Sequence, residues 1–237
     1  IVLDATPFYA ESGGQVGDTG VILMGENIVS VVDTVKSEGH FLHIAEIEQG
    51  SISKGDKVLA KIDKERRLAV MRNHTTAHLL QYALRQVLGE HVHQAGQLVN
   101  EKACRFDFNH FSAMTDSEVA EVEALVNAEI MSAVEVTMQE MPIEDAKKLG
   151  AMALFGEKYG NTVRVVTADK SVEFCGGTHI SNTSQIGLFK IISESSVAAG
   201  VRRIEAVTGL GVLALLNDYK NTIARSAKAL KLANVNE

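Results

Sequence analysis

Two pairs of metal-ligating side chains, far apart in the chain, restrict its fold more than any other feature. His74 and His78 stand four residues apart, and Cys175 and His179 repeat that spacing about a hundred residues later. On a helix this spacing puts both imidazoles on one face, about one turn apart, where a single zinc ion can bridge them. The fold must then bring a helix and a distant Cys-Gly-Gly-Thr-His segment to one point.

The second pair requires a different local geometry. Gly176 and Gly177 lie between its ligands, and we expect them to let the backbone turn tightly enough for a thiolate and an imidazole to converge. Either pair alone is a weak signal, and the combination is a strong one. Residues 74–78 contain no glutamate, so the base of the His-Glu-x-x-His metalloproteases is missing and that route to peptide hydrolysis is disfavoured.

Four protein ligands leave two interpretations open. A zinc ion held by all four is closed and would position substrate, whereas a catalytic zinc keeps one position open for water. If one of the four ligands is weak or absent, a water of lowered pKa could attack an ester carbonyl. The spacing alone does not choose between these roles.

The composition is that of a folded chain without a membrane span. The 237 residues are 46% hydrophobic and include only two prolines, and no apolar run reaches the roughly 18 residues that a spanning helix needs. Two cysteines, Cys104 and Cys175, are too few for a disulfide scaffold, which favours a reducing cytoplasm. The chain begins at Ile1 without a methionine, so we expect a piece of a longer protein.

The net charge argues against binding nucleic acid through bulk electrostatics. A formal charge of −7 has the wrong sign for neutralising phosphates, which normally draws on clustered lysine and arginine. The objection weakens if basic residues act locally, as Arg66, Arg67 and Arg72 could beside the histidine pair, or if a further domain grips the RNA.

Patterns along the chain predict an α+β protein in three parts. Residues 1–63 contain short β-like runs at 21–24, 28–35, 41–47 and 57–62, broken by glycine, which predict a small glycine-rich β-barrel. Residues 64–209 begin with a helix that Asp63 caps and Gly89 stops, and His74 and His78 lie on it.

The rest of this second part should form an antiparallel sheet packed with helices. One or two strands are predicted within 98–108, helices at 112–135 and 143–149, and further strands at 163–168, 172–174, 188–193 and 202–208. Residues 210–237 read as a helical linker towards a missing C-terminal domain. The apolar side of this helix carries Leu213, Leu216, Tyr219, Ile223 and Ala227.

Three further segments allow a structural and a functional interpretation. The glycine-rich residues 6–18, with Gly13, Gly14 and Gln15, form either a turn or a loop that faces substrate or RNA phosphate. Gln94 is either a loop residue or a carboxamide in the metal pocket. Arg202 and Arg203 either pair with nearby acids or contact a nucleic-acid phosphate, which for the family resemblance below would be that of tRNA.

Taken in order, the segments 6–17, 74–80, 152–159, 175–179 and 200–209 resemble the editing portion of bacterial-type alanyl-tRNA synthetases, and the match covers nearly the whole chain. The Cys-Gly-Gly-Thr-His element is also similar to that of free-standing alanyl-tRNA editing proteins. A related His/Cys pattern occurs in threonyl-tRNA synthetase editing domains.

The resemblance implies one zinc ion at His74, His78, Cys175 and His179, and a glutamine in the editing pocket that maps onto Gln94. It implies hydrolysis of Ser-tRNA(Ala) and Gly-tRNA(Ala), with Cys175 and Gln94 as the expected catalytic residues. Many relatives carry a hydroxyl residue where this chain has Ala77, so Thr75 or Thr76 is expected to take its place. The expected substrate-binding residues are Thr75, Thr76, Gln94, Gly13, Gly14, Gln15, Arg202 and Arg203.

The resemblance also implies a larger parent protein. That parent would ligate alanine to tRNA(Ala) with ATP in an aminoacylation domain upstream, would bind the tRNA acceptor end, and would form a homodimer through the missing C-terminal domain. Two alternatives stay open: a free-standing alanyl-tRNA editing hydrolase, and a non-catalytic tRNA-binding module held together by zinc.

Overall fold

The computed structural model describes residues 1–153 and 159–231. Residues 154–158, which belong to one of the segments that carry the family resemblance, lie outside the described residues, as do residues 232–237 of the predicted C-terminal helix. The fold is α+β with antiparallel sheets, as predicted.

The N-terminal part is a four-stranded antiparallel sheet with the order β3-β2-β1-β4. A small apolar cluster, with Phe8, Ile22 and Val29, packs on it. Since β3 and β4 are both edge strands, the pairings of this described part give an open sheet, and closure into the predicted barrel is not observed. The strands are β1 (Gly20–Met24), β2 (Asn27–Ser37), β3 (His40–Gln49) and β4 (Leu59–Ile62).

Helix α1 (Lys64–Leu88) begins and ends as the sequence predicts. Asp63 caps its N-terminus, because the Asp63 carboxylate accepts a hydrogen bond from the Arg66 amide at 3.0 Å. Gly89 stops it with a positive φ of 112°, which favours glycine. The helix therefore presents a fixed face, on which His74 and His78 lie.

A central four-stranded antiparallel sheet packs against α1 and α2 (Asp116–Met131). Its order is β10-β11-β6-β5, and Leu80, Phe106 and Ile204, all 0% exposed, lie in the core beneath it. Its strands are β5 (Gln94–Val99), β6 (Cys104–Asn109), β10 (Phe189–Ala198) and β11 (Val201–Thr208).

A second sheet corrects the expectation of one sheet in this part of the chain. It consists of β7 (Val136–Pro142), β8 (Thr162–Ala168) and β9 (Ser171–Phe174), in that order, with α3 (Ile143–Lys148) packed against it. Strand β7 is not predicted from the sequence, because its Gln139, Glu140 and Pro142 are unfavourable strand residues. The loop that follows β9 carries Cys175, so this small sheet positions half of the predicted metal site.

Helix α4 (Leu210–Ala229) is long but sparsely covered. Only Val212 and Ala227 of this helix are buried, and the other four residues of its predicted apolar side are exposed, with Leu213 and Ile223 each 54% accessible. Within the described ranges, no helix is long and apolar enough to cross a membrane.

Candidate metal centre

The structure brings the two predicted ligand pairs together. Helix α1 supplies His74 and His78, and the loop after β9 supplies Cys175 and His179. The ligand atoms all lie within 4.8 Å of one another. Cys175 Sγ is 3.5 Å from His74 Nε2 and 3.3 Å from His179 Nε2.

The two sulfur–nitrogen separations are close to those of a single zinc site. With Zn–N near 2.0–2.1 Å and Zn–S near 2.3 Å, a tetrahedral angle separates nitrogen from sulfur by about 3.6 Å. The two sulfur–nitrogen distances are slightly shorter than that value. Three imidazoles and one thiolate are also a donor set that zinc accepts.

Each of the three imidazoles is held by its other ring nitrogen. The Nδ1 atoms contact oxygen acceptors on three different elements, which leaves the three Nε2 atoms for the centre. His78 Nε2 is buried without a hydrogen-bond partner, as a ligand atom facing a cation site would be. The Nδ1 contacts are His74 to Gln15 Oε1 at 2.7 Å, His78 to Glu173 Oε2 at 2.8 Å and His179 to Thr75 Oγ1 at 3.2 Å.

Burial and neighbouring charges set the protonation of the ligands. Burial raises the pKa of the Cys175 thiol, but the nearby histidines, His74 above all, outweigh it and hold that pKa well below its usual range. Burial lowers the pKa of His179 to about 3. Cys175 is therefore a thiolate and His179 a neutral imidazole at neutral pH, the forms that bind metal.

His78 behaves differently, because it faces two anions. Burial alone lowers its pKa, but Glu173 and Cys175 outweigh burial and raise that pKa well above the ordinary value. A protonated His78 would balance the negative charge of the thiolate. Metal binding would displace the proton on Nε2 while Glu173 keeps the one on Nδ1.

Gly177 is required for space rather than for an unusual backbone. A Cβ at this position would lie 2.0 Å from His74 Cε1 and 3.0 Å from Gln15 Oε1, whereas one at Gly176 would meet nothing within 4 Å. Neither glycine has a positive φ. The predicted reason for glycine in this loop, a tight turn, is therefore replaced by a steric one at Gly177. Arg164 fixes the loop by donating to the carbonyls of Cys175 at 2.9 Å and Gly177 at 2.6 Å.

The glycine-rich segment also supports the centre. Gln15 is fully buried and bridges His74 to Thr178, whose amide donates to Gln15 Oε1 at 2.8 Å. Gly14 approaches Gln97 so closely that a Cβ would lie 2.4 Å from the Gln97 carbonyl oxygen. Of the predicted trio, Gly13 lines the adjoining cavity, and Gln15 braces a ligand from behind.

A cavity of about 320 Å³ opens beside the four ligands, and Gln94 lines it. Gln97 lines it too, although the sequence analysis missed this residue. Strict alternation in β5 would put these two glutamines on opposite faces of the sheet. However, the pairing of β5 with β6 shifts by one residue between Gln94 and Gly96. This irregularity places both glutamine side chains on the same face. Gln97 Nε2 donates to the Gly13 carbonyl at 2.6 Å and lies 3.4 Å from His74 Nε2.

The two predicted threonines point into the protein. Thr75 is fully buried, and its hydroxyl contacts His179 Nδ1 and accepts from the Ile180 amide at 3.3 Å. The Thr76 hydroxyl donates to the Arg72 carbonyl at 2.8 Å. Neither lines the cavity in the described part of the chain, so their predicted role in substrate binding rests on the resemblance alone.

Arg202 and Arg203 lie on β11, and each is paired within the chain. Arg203 makes a two-pronged ion pair with Asp107, both contacts at 2.7 Å, and Arg202 pairs with Glu194. Neither lines the cavity beside the metal centre. The salt-bridge interpretation therefore describes their observed contacts, while a phosphate contact stays a prediction.

Two of the basic residues beside the histidine pair are likewise engaged. Arg67 forms an ion pair with Asp18 and donates to the Pro7 carbonyl at 3.0 Å, and Arg66 donates to the Gly17 carbonyl at 2.7 Å. These contacts tie the glycine-rich segment to α1.

Comparisons with known proteins agree with this geometry. Residues 163–205 match the family described as the threonyl and alanyl tRNA synthetase second additional domain, and residues 1–66 match the tRNA synthetases class II (A) family. The chain is 54% identical to an alanine–tRNA ligase of Acetivibrio thermocellus over 98% of its length and 26% of the relative's. It is 52% identical to that of Leptothrix cholodnii, over 98% and 27%, and 49% identical to that of Bacillus velezensis, over 98% and 26%.

By its site and its sequence, the chain is related to the aminoacyl-tRNA synthetases. More particularly, it is similar to the editing region of alanyl-tRNA synthetase, so the resemblance predicted from its motifs is confirmed. The chain spans about a quarter of the length of the curated relatives that it matches.

Proposed function

We propose that this chain hydrolyses the ester of mischarged Ser-tRNA(Ala) and Gly-tRNA(Ala), as the editing part of an alanyl-tRNA synthetase. The observation that carries the proposal is the convergence of His74, His78, Cys175 and His179 beside a cavity with two carboxamides in its wall. The family comparisons support the synthetase context.

Size alone cannot select these substrates. Serine is larger and glycine smaller than the correct alanine, so no single steric limit accepts both errors and spares the cognate product. Gln94 and Gln97, both half-buried, can hydrogen-bond a serine hydroxyl, whereas a bound alanine would enclose these groups without a partner, at about 1–3 kcal/mol each. We therefore assign serine selection to this wall of the cavity.

A protein general base is not evident. Among the described residues that line the cavity, Glu173 carries the only carboxylate. Its two oxygens are already engaged, one by His78 Nδ1 at 2.8 Å and the other by the Ser171 hydroxyl at 3.0 Å. Glu173 therefore positions His78 and is not free to act as a base. For this reason we assign activation of the attacking water to a ribose hydroxyl of the tRNA end.

The four ligands would hold zinc, with Cys175 as its thiolate. When bound, zinc supplies a fixed positive charge close to the ester, which favours the charge that develops on the carbonyl oxygen. The chain's own part is to hold the imidazoles through Gln15, Glu173 and Thr75, and to place Gln94 opposite the ester.

The parent context completes the proposal. We infer a cytoplasmic alanine–tRNA ligase that binds the acceptor end of tRNA(Ala), uses ATP in a separate aminoacylation domain and dimerises through a C-terminal domain. Within this chain we place the boundaries at residues 63 and 209, so that the open N-terminal sheet forms a unit of its own.

The test is ester loss from Ser-tRNA(Ala) and Ala-tRNA(Ala), with and without a chelator. We expect selective, chelator-sensitive loss of serine from the first. Cys175→Ala should abolish it, while Cys104→Ala, which changes the other cysteine, 0% exposed in the core, should keep it.

The alternative is a non-catalytic tRNA-binding module, since four protein ligands can close a zinc site. It predicts tRNA binding and bound zinc without turnover. A folded Cys175→Ala variant with full activity would instead refute the metal-site mechanism.

A further inference from the structure

A second cavity adjoins the one at the metal centre. It encloses about 250 Å³ and shares three wall residues with the first: Gln94, Glu173 and Phe174. Gln81 and Arg85 of α1 form another part of its wall. Two linked groups of one substrate can therefore occupy the two cavities at once.

Gln81 marks this cavity as a binding site. The residue is 4% exposed, its Nε2 makes one long hydrogen bond of 3.4 Å to the Val92 carbonyl, and its Oε1 has no hydrogen-bond partner. A buried acceptor without a partner costs free energy that a ligand can recover. Because a single long hydrogen bond holds this amide, it can turn about its last side-chain torsion towards the cavity that it lines.

We propose that the second cavity binds the adenine base of the 3′-terminal nucleotide of tRNA, and that Gln81 reads that base. A carboxamide is the side-chain group that pairs with adenine in both directions, since its oxygen accepts from N6 and its NH₂ donates to N7. The proposal rests on the proposed function, in which the amino acid is esterified to the ribose of that same nucleotide. With the ester at the metal centre, the ribose lies along the shared wall and the base reaches Gln81.

Arg85 adds a positive charge at the same cavity. Its guanidinium donates to the carbonyls of Glu90 at 2.6 Å and Val92 at 3.0 Å, and it has no carboxylate partner among the described residues. A phosphate of the terminal nucleotide can accept from its remaining N–H groups. This local cation weakens the objection that a net charge of −7 argues against binding RNA through bulk electrostatics.

The experiment compares two small esters, 3′-O-seryl adenosine and 3′-O-seryl purine riboside, which lacks the 6-amino group. The 237-residue chain should hydrolyse the adenosine ester with a kcat/KM about 5- to 150-fold higher, the discrimination expected of a bidentate contact to a base. In Gln81→Met the two esters should react at similar rates, because the loss falls on the adenosine ester alone. Gln185→Met, a change at an exposed glutamine, should keep the wild-type ratio.

Nucleoside binding separates this inference from the proposed function. In an NMR titration, adenosine monophosphate should perturb the Gln81 side-chain amide of the wild type more strongly than purine riboside monophosphate does. Adenosine-selective binding without ester hydrolysis would refute the editing activity and keep the adenine site.

The inference is overturned if the wild type treats both nucleosides alike, or if Gln81→Met keeps the wild-type ratio. An equal fall for both esters in Gln81→Met, together with a lower melting temperature, would show a purely structural glutamine and would likewise overturn it.

Discussion

Helices α1 and α4 are the two long helices of the described chain, with 25 and 20 residues, and the protein supports them very differently. Twelve residues of α1 are buried, and half of the twelve are polar. Only Val212 and Ala227 of α4 are buried, although its leucines repeat at helical spacing. An apolar stripe in the sequence therefore indicates which face of a helix can be buried. Whether that face is buried depends on the elements that pack against it.

The polar residues of α1 show the same dependence on surroundings. His74 and His78 are tolerated in the interior because Gln15 and Glu173 accept from their Nδ1 atoms. Asn73 is likewise satisfied, by Thr208 at 2.7 Å and by the Asn100 carbonyl at 2.7 Å. A helix with this many buried polar groups is organised around a site as well as a core.

The largest effect should come from deleting core volume on α1. Leu80 is fully buried between the central sheet and the helices, so Leu80→Ala should lower the free energy of unfolding by about 2–5 kcal/mol. Urea denaturation followed by circular dichroism measures it. A loss below about 1 kcal/mol would mean that α1 is not the buried helix described above.

Next in size should be the steric effect at the loop facing α1. Gly177→Ala places a methyl group 2.0 Å from His74, so it should cost about 1–3 kcal/mol of stability and displace a ligand. The matched control is Gly176→Ala, whose Cβ would enter open space. Metal content after dialysis and urea denaturation, compared between the two variants, test this. Equal behaviour of the two would contradict the close approach to His74.

A smaller effect is expected at the carboxylate that holds His78. Glu173→Gln keeps an oxygen that can accept from His78 Nδ1 but removes its charge, so zinc affinity should fall about 10- to 100-fold. Competition with a chromophoric chelator measures this affinity. Glu140→Gln, a change at an exposed position of β7, should leave it unaltered. Unchanged affinity in Glu173→Gln would exclude the positioning role.

Local rules in the sequence predict much of the fold. The limits of α1 follow from Asp63 and Gly89, and the four ligands from their spacing, because caps and ligand pairs act over a few residues. Strand β7 and the division into two sheets depend on pairing between distant segments, which no local pattern encodes. The open N-terminal sheet is another such case.

The residues around the ligands were the hardest to predict. Glu173 and Arg164 support the metal centre through His78 and Gly177, which are distant in sequence or lie beyond the next strand. Gln97 lines the cavity only because β5 has an irregular register. For Glu173 a signal did exist, since it stands two residues before Cys175 and extended backbone points alternate residues to one side. For Gln97 none was present.

The smallest effect should be found on α4. Leu216 is 53% exposed, so Leu216→Ala removes little buried surface and should change the free energy of unfolding by no more than about 0.5 kcal/mol. The same urea denaturation that reports on Leu80→Ala measures it, with the same leucine-to-alanine change on both helices. A loss of 2 kcal/mol or more would show that the apolar side of α4 is covered in solution, for example by a second copy of the chain. In that case the loss in free energy of unfolding should depend on protein concentration. The difference in burial between α1 and α4 would then apply only to the isolated chain.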